Sequence, residues 1–267
     1  GRIAQALDAA TARLEQVERE RREPIAVVSL SCRFPQARNP EEFWRLLETG
    51  ADAITEIPAD RWDLDQYYDP DPAAPGKMYC RHGGFLDEVR GFDAPLFHIS
   101  AREAASMDPQ QRILLEVTWE ALERAGMSPR SVQGSSTSVH IGVTTHDYTE
   151  LLLASSEETP LDTYYTTGNA ANALAGRLSY YLGLHGASMA VDTACSSSLV
   201  AVHLACQALR TRESDLAIAG GVNLILSPHL QTAICRANML SAAGRCRTFA
   251  ADSDGYVRGE GCGVVVL

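Results

Sequence analysis

The sequence predicts an α/β fold in which helices pack on a largely buried sheet, and three observations support this prediction. β-Branched runs typical of buried strands recur along the chain, helical segments alternate with them in the second half, and one long segment carries a full set of helix-capping residues. With 267 residues, 45% of them hydrophobic, the chain is long enough to bury a sizeable core. The formal charge of -11 argues against a broad nucleic-acid-binding face, and every apolar run is shorter than the roughly 18 residues that cross a bilayer.

Residues 1–24 are predicted to form a separate helix that ends at Pro24. Apolar residues recur at alternating spacings of four and three, which is the seam of a short coiled coil, at Ile3, Leu7, Ala10, Leu14 and Val17. A single amphipathic helix lying on its own domain is the alternative. We favour a dimerising coiled coil, because so narrow a seam suits one partner helix better than a broad core.

The core-forming part of the chain begins after this helix. Residues 25–30 are a nearly continuous β-branched run, which predicts a strand buried on both faces. Residues 40–49 have the pattern of a helix. Residues 58–84 are rich in Pro, Gly, Asp and Tyr and lack a period, which predicts a long structured loop.

A long helix is predicted to follow Asp108. This residue is a suitable N-cap, Pro109 occupies the first helical position, and Gln111 stands at the third. The apolar pattern then continues to Gly126, a typical residue for the end of a helix.

Strands and helices alternate in the second half of the chain. The pattern predicts helices at 168–182 and 196–209, and strands at 138–143, 188–192, 215–220 and 262–267. The segment 196–209 has almost no polar face. We therefore expect this helix to be covered on every side, either between two sheets or against a second subunit.

The cysteines indicate free thiols rather than a structural framework. Seven cysteines, an odd number, are widely scattered without a CxxC pair, which argues against disulfide pairing and against a zinc cluster. The N-terminus lacks the apolar segment and cleavage site of a secretory signal. We therefore expect reduced thiols, a cytoplasmic protein and a chemical role for one or two cysteines at most.

Cys195 is the strongest candidate for such a role. It stands between a predicted buried strand and a predicted buried helix, where the helix dipole and free backbone N–H groups stabilise a thiolate and the oxyanion formed when it attacks a thioester. The alternative is a small buried hydrophobic residue, a frequent fate of free cysteine. Asp192 either orients the backbone near the nucleophile or caps the following turn, and we favour the cap.

Several segments, taken in order, resemble one known family. The stretch VDTACSSSLVAVH at 191–203 closely resembles the active-site signature of β-ketoacyl synthases, in particular the ketosynthase domains of modular type I polyketide synthases. Other segments similar to this family are IAVVSLSCRFPQARNPEEFWRLL, MDPQQRILLEVTWEALERAG, TTGNAANALAGRLSYYLGL, DLAIAGGVNLIL and GYVRGEGCG. The resemblance covers nearly all of 24–267 and favours a catalytic Cys195. The N-terminal helix resembles the paired coiled coil that precedes such ketosynthases and helps to dock an upstream protein or domain.

The resemblance implies a fold, an activity and partners. Such enzymes have a thiolase-like fold, two similar α/β halves stacked in five αβαβα layers, and work as homodimers. An acyl chain carried on the phosphopantetheine arm of an acyl carrier protein is transferred to the cysteine, here Cys195. A malonyl-type extender then loses carbon dioxide, and its carbanion attacks the acyl thioester to give a β-ketoacyl product. The resemblance implies no directly bound cofactor and no metal ion.

The sequence departs from the family at two histidines that assist the condensation. In the family they follow the cysteine, one in an HGTGT-like segment and one beside a glycine after a lysine-bearing stretch, and neither motif is present. We therefore expect 25–267 to be the N-terminal portion of a ketosynthase domain, the first half of the fold plus the start of the second, with the remainder of the domain as a partner. The alternative is a non-catalytic dimerisation and docking fragment.

Overall fold

The computed structural model describes residues 1–155 and 162–267, with the backbone alone for 17–22. The described helices are α1 (Arg2–Arg22), α2 (Pro40–Thr49), α3 (Leu64–Tyr67), α4 (Ala101–Ser106), α5 (Pro109–Arg124), α6 (Pro129–Val132), α7 (Asp147–Ser155), α8 (Tyr165–Asn169), α9 (Ala171–Leu182), α10 (Ser197–Arg210) and α11 (Pro228–Arg236). The described strands are β1 (Ser29–Arg33), β2 (Thr55–Glu56), β3 (His82–Gly83), β4 (Ser138–Gly142), β5 (Ser188–Val191), β6 (Ala217–Asn223) and β7 (Gly261–Val266). In this part of the chain, no helix is both long and apolar enough to span a membrane.

One five-stranded mixed sheet organises the described residues, with strand order β1-β7-β6-β4-β5. β4 is parallel to both β5 and β6, whereas β7 is antiparallel to its neighbours β6 and β1. The predicted strand near the C-terminus therefore joins the same sheet as the others. That this strand begins a second half of the fold, as the family resemblance implies, stays a prediction.

Helices cover both faces of this sheet. On one face, α5 packs against β1 and β7 while α9 packs against β4 and β5. On the other face, α10 packs against β4 and β6. Strand residues alternate between the two sides, because Ile141 and Ile218 join the core beneath α5 and α9, whereas Ala219 packs with Ala205 of α10. The result is three layers, helix, sheet and helix.

The capped helices lie where the sequence predicts them. The Asp108 carboxylate accepts a hydrogen bond from the N–H of Gln110 at 2.8 Å and caps α5, and Gly126 follows the helix with a φ of 69°. α2 spans the predicted 40–49, with Asn39 as N-cap and Gly50 in the left-handed conformation. Local capping residues therefore fix both helices.

The predicted strand at 25–30 is displaced and is not buried on both faces. β1 covers Ser29–Arg33, and the side chains of Val27, Val28 and Leu30 remain largely exposed. The physical reason is that β1 lies at the edge of the described sheet and pairs there only with β7, so that this partner sets the limits of β1.

The predicted helix at 168–182 is interrupted at Ala170, which is extended, and forms α8 and α9 instead. The carbonyl of Gly168 accepts hydrogen bonds from Asp108 N at 2.9 Å and from Gln111 Nε2 at 2.8 Å. Because this carbonyl accepts hydrogen bonds from the start of α5, it does not accept one within a continuous helix, and α8 and α9 are separate.

The residues of α10 that face away from the sheet are uncovered within the described part of the chain. Leu199 is 75% exposed, and His203 and Gln207 are exposed as well. The expectation that this apolar helix is covered on every side therefore stays a prediction. The cover would come from the remainder of the ketosynthase domain or from a second copy of this chain.

The N-terminal helix forms as predicted, and its apolar seam faces solvent from Ile3 to Leu14, while the side chain of Val17 lies outside the described residues. Ile3 is 87% exposed, and Leu7 and Leu14 are 66% and 62% exposed. A coiled coil would cover these side chains, so that the dimerising role stays a prediction.

Candidate active site

Cys195 lies in the turn that joins β5 to α10, at the carboxyl ends of the parallel strands β4 and β5. Carboxyl ends of parallel strands are where α/β folds place their sites. Its side chain is exposed, and so are its neighbours in the turn. The sequence predicted a buried strand here, but Ser188 and Met189 of β5 are exposed because β5 is an edge strand.

Serine side chains hold this turn together. Ser197 Oγ accepts a hydrogen bond from Thr193 N at 2.9 Å and donates one to the carbonyl of Ala194 at 2.7 Å. Ser196 Oγ donates to the carbonyl of Thr193 at 2.8 Å. The polar run after Cys195 therefore satisfies the backbone of the turn that carries it.

Glycines bring the start of α10 directly onto the sheet. A Cβ at Gly142 would lie 2.6 Å from Ser198 N, and a Cβ at Gly221 would lie 2.8 Å from Ser198 Cβ. Only glycine permits this approach. The positive end of the helix dipole therefore stands beside Cys195, two residues before the helix begins at Ser197.

The backbone before the nucleophile is strained and tied to β4. Ala194 has a φ of 54°, in the left-handed region that costs a side-chain-bearing residue about 1–2 kcal/mol. Asp192 Oδ1 accepts hydrogen bonds from Ala194 N at 3.0 Å and from Thr144 Oγ1 at 2.9 Å. The Ala194 N–H and the Thr144 hydroxyl lower the pKa of the Asp192 carboxyl below its usual range. Asp192 thus caps the turn as predicted.

Sequence reasoning missed Thr144, which lies 48 residues before Asp192. No local motif marks it. Its position directly after a buried strand was the available signal, since side chains at the carboxyl ends of adjacent parallel strands meet.

The N–H groups around Cys195 differ in their partners. Those of Ala194, Ser196 and Ser197 donate to Asp192 Oδ1, to the Thr193 carbonyl and to the Ala194 carbonyl, respectively. Within the described residues, the N–H of Cys195 donates no hydrogen bond. An N–H next to a nucleophile that lacks a partner is suited to bind the oxyanion of a tetrahedral intermediate.

Most other cysteines are poor nucleophiles in this fold. Burial raises the pKa of the Cys32 thiol to about 11 and also raises the pKa values of Cys80, Cys235 and Cys262. Cys246 is the second exposed thiol, and its Sγ accepts a hydrogen bond from Val257 N at 3.2 Å. Cys195 is therefore distinguished from the buried thiols by exposure and from Cys246 by its helix-start position.

A separate cavity of about 900 Å³ lies between α5 and α9, with Phe97, Trp119 and Tyr181 among its lining residues. Cys195 does not line it. The candidate nucleophile thus stands on open surface in this chain.

Comparison with known proteins identifies the family. A family profile described as "Beta-ketoacyl synthase, N-terminal domain" matches residues 22–267. The chain belongs to the β-ketoacyl synthase family. The family resemblance drawn from the sequence is confirmed.

Relatives of this β-ketoacyl synthase chain are very long polypeptides. It is 55% identical over 264 residues to one phenolphthiocerol/phthiocerol polyketide synthase polypeptide of Mycobacterium tuberculosis, covering 98% of this chain and 12% of that protein. It is 56% identical over 246 residues to another polypeptide of the same synthase and organism, covering 92% of this chain and 16% of that protein. The chain therefore spans about an eighth to a sixth of these relatives.

Solved ketosynthases match the fold. The oxazolomycin ketosynthase domain from Streptomyces albus aligns with a TM-score of 0.85 at 40% identity, covering 90% of this chain and 41% of that chain. The ketosynthase from module 6 of the bacillaene synthase of Bacillus subtilis aligns with a TM-score of 0.82 at 41% identity, covering 90% of this chain and 39% of that chain. The predicted thiolase-like α/β class is confirmed by these neighbours.

Proposed function

We propose that this chain carries the acyl-accepting part of a polyketide ketosynthase active site, with Cys195 as the nucleophile. The observation that supports the proposal is an exposed thiol at the start of a helix with its own N–H without a partner among the described residues. The substrate is an acyl thioester on the phosphopantetheine arm of an acyl carrier protein.

The first step is acyl transfer to sulfur. The Cys195 thiolate attacks the thioester carbonyl, and the Cys195 N–H binds the developing oxyanion. Collapse of the tetrahedral intermediate breaks the bond between carbonyl carbon and carrier sulfur. The products are an acyl-Cys195 thioester and the carrier's phosphopantetheine thiolate, which takes up a proton.

The second step is decarboxylative condensation. A malonyl-type extender on a carrier protein releases carbon dioxide, and its carbanion attacks the acyl-Cys195 carbonyl to give a β-ketoacyl thioester and free Cys195. The two histidines that assist this step in the family come from the remainder of the ketosynthase domain. The exposed Leu199 on α10 supports this assignment, because a second half of the fold would cover it. The seven free cysteines support a reducing, cytoplasmic setting.

We assign two surfaces to a homodimer. The β5 edge pairs only with β4 within the described residues, so that its outer N–H and C=O groups are available to another chain. The exposed seam of α1 is available for a paired helix, and for docking an upstream synthase subunit or domain. The same seam favours the second candidate function, a non-catalytic dimerisation and docking fragment.

The test is the intact mass of the chain after incubation with the propionyl thioester of N-acetylcysteamine. We expect a propionyl adduct that disappears in Cys195→Ala and persists in Cys246→Ala, which removes the other exposed thiol. An adduct that survives Cys195→Ala would contradict the assignment. A folded chain that forms no adduct would support the docking candidate instead.

A further inference from the structure

One carboxylate oxygen connects two strands at the candidate site. Thr144 follows β4, Asp192 follows β5, and the Thr144 hydroxyl donates to Asp192 Oδ1 at 2.9 Å. The same oxygen accepts the N–H of Ala194 at 3.0 Å. The residue directly before the nucleophile is thus attached to the neighbouring strand through Asp192 Oδ1. Thr144 Oγ1 also lies 3.5 Å from Ser197 Oγ, which donates to the Ala194 carbonyl.

This attachment acts on a strained residue. Ala194 holds a φ of 54°, and its carbonyl accepts the Ser197 hydroxyl at 2.7 Å while its N–H is held by Asp192. A residue other than glycine keeps the left-handed conformation only when several surrounding contacts hold it there. Its conformation sets the direction of the next peptide, and with it the Cys195 N–H.

We propose that Asp192 and Thr144 are positioning residues, which hold Ala194 in the left-handed conformation and thereby direct the Cys195 N–H and thiol toward the acyl carbonyl. This inference rests on the proposed function of Cys195. The role requires a hydrogen-bond acceptor at Oδ1 rather than a negative charge. A carboxylate that already accepts two hydrogen bonds through this oxygen is also a weak base, so that proton removal is a poor alternative role.

The inference predicts different effects on two reactions of the Cys195 thiol, acylation and alkylation. Acyl transfer needs the oxyanion bound and the carbonyl aligned, and small misplacements of such groups are costly. Alkylation by iodoacetamide is a direct displacement by the thiolate, so that it needs an accessible thiolate but no bound oxyanion and no aligned carbonyl. Loss of positioning should therefore slow acylation far more than alkylation.

The experiment compares both rates in Asp192→Ala, Thr144→Val and Asp192→Asn. Acylation uses the propionyl thioester, and alkylation of Cys195 is followed by peptide mass with Cys246 of the same chain as the internal reference. We expect Asp192→Ala and Thr144→Val to lower the acylation rate about tenfold or more with alkylation nearly unchanged. Asp192→Asn, which keeps an acceptor oxygen, should retain most of the rate. Thr248→Val is the control, an exposed threonine outside this turn.

Other outcomes overturn the inference in distinguishable ways. Wild-type acylation with an equal rate in Asp192→Ala would exclude positioning and leave the proposed function intact. An equal fall of acylation and alkylation would indicate general disruption of the turn and also contradict positioning. An Asn variant as slow as the Ala variant would show that the charge matters. A wild-type chain that forms no acyl adduct would remove the proposed function, and this inference with it.

Discussion

At the scale of the residue, the fold places polar side chains where their surroundings decide their chemistry. Asp192 stays ionised because it accepts two hydrogen bonds at the surface. His140 of β4 is buried, alternates with the core residue Ile141 and so faces α10. Neither of its ring nitrogens has a hydrogen-bond partner among the described residues. Burial lowers the pKa of His140 below its ordinary value of about 6.5.

This pKa shift predicts a loss of stability in mild acid. Above pH 6.5 the histidine is neutral in both states and has no effect. Below that pH the unfolded chain takes up a proton that the folded chain resists, so that stability falls by up to about 1.4 kcal/mol per pH unit. We expect His140→Leu to reduce the slope of unfolding free energy between pH 6.5 and 5, measured by urea denaturation.

The matched control is His185→Leu, at an exposed position. Burial and two nearby arginines also lower the pKa of His82, so that some slope will remain in the His140 variant. Equal slopes in wild type and His140→Leu would show that this histidine does not contribute.

At the scale of the element, local sequence signals predict the capped helices well, but they do not predict which distant strands pair. Asp108 and Pro109 mark the start of α5 in the sequence, so that the local pattern is enough to predict it. The limits of β1 depend on β7, which lies more than 200 residues later in the chain, and no local pattern contains that information. The sequence predictions omitted α11, although Ser227 and Pro228 repeat the capping signal of α5 and make its start predictable from local residues.

At the candidate site, too, neighbouring residues could be predicted from the sequence and a distant residue could not. The turn around Cys195 follows from consecutive residues, and the sequence was sufficient to single it out. Thr144 reaches the turn only because β4 and β5 are neighbours, so its role required the structure.

A buried ion pair attaches the long loop at 58–84 to the sheet. Glu260, directly before β7, accepts hydrogen bonds from Arg61 Nη2 at 3.0 Å, Leu86 N at 2.8 Å and Ile225 N at 3.0 Å. The side chains of Arg61 and Glu260 are 3% and 0% exposed. One carboxylate therefore joins three separate segments of the fold.

We expect Glu260→Ala to be strongly destabilising. The change leaves two buried N–H groups without their acceptor, and it leaves the buried Arg61 guanidinium with the half-exposed carboxylate of Asp60 as an ion-pair partner. Breaking a buried pair costs about 3–5 kcal/mol. Urea denaturation of Asp252→Ala, which removes the exposed partner of Arg247, is the comparison and should show little change. Equal, small effects of both substitutions would show that the loop is held by its apolar contacts instead.

At the scale of the whole molecule, the described residues leave apolar surface uncovered in separate places. Leu199 of α10 and the seam of α1 are both exposed. We have assigned the first surface to the remainder of the domain and the second to a paired helix.

The seam assignment predicts the effect of a single charge on self-association. Leu7→Glu places a carboxylate in the apolar seam, and burying a leucine is worth about 1.5–3 kcal/mol in each copy. We expect the dimer dissociation constant to rise more than about tenfold, measured by sedimentation equilibrium.

Ala12→Glu introduces the same side chain at an exposed position off the seam and should leave the constant nearly unchanged. If Leu7→Glu associates as strongly as wild type, dimerisation does not use the seam and the β5 edge is the remaining candidate. A monomeric wild-type chain would contradict the homodimer altogether.

The position of β7 in the sheet also affects the order in which the strands pair during synthesis. Among the described strands β7 comes latest in sequence, yet it lies between β1 and β6 and is hydrogen-bonded to both. Within the described sheet β1 pairs with β7, so that during synthesis β1 emerges early and waits for this partner until Val266 has left the ribosome. Contacts of such high sequence separation form slowly, and the waiting strand is prone to aggregate. The sheet is therefore completed long after β1 has been synthesised. Until then, the nascent chain depends on protection of β1 from aggregation.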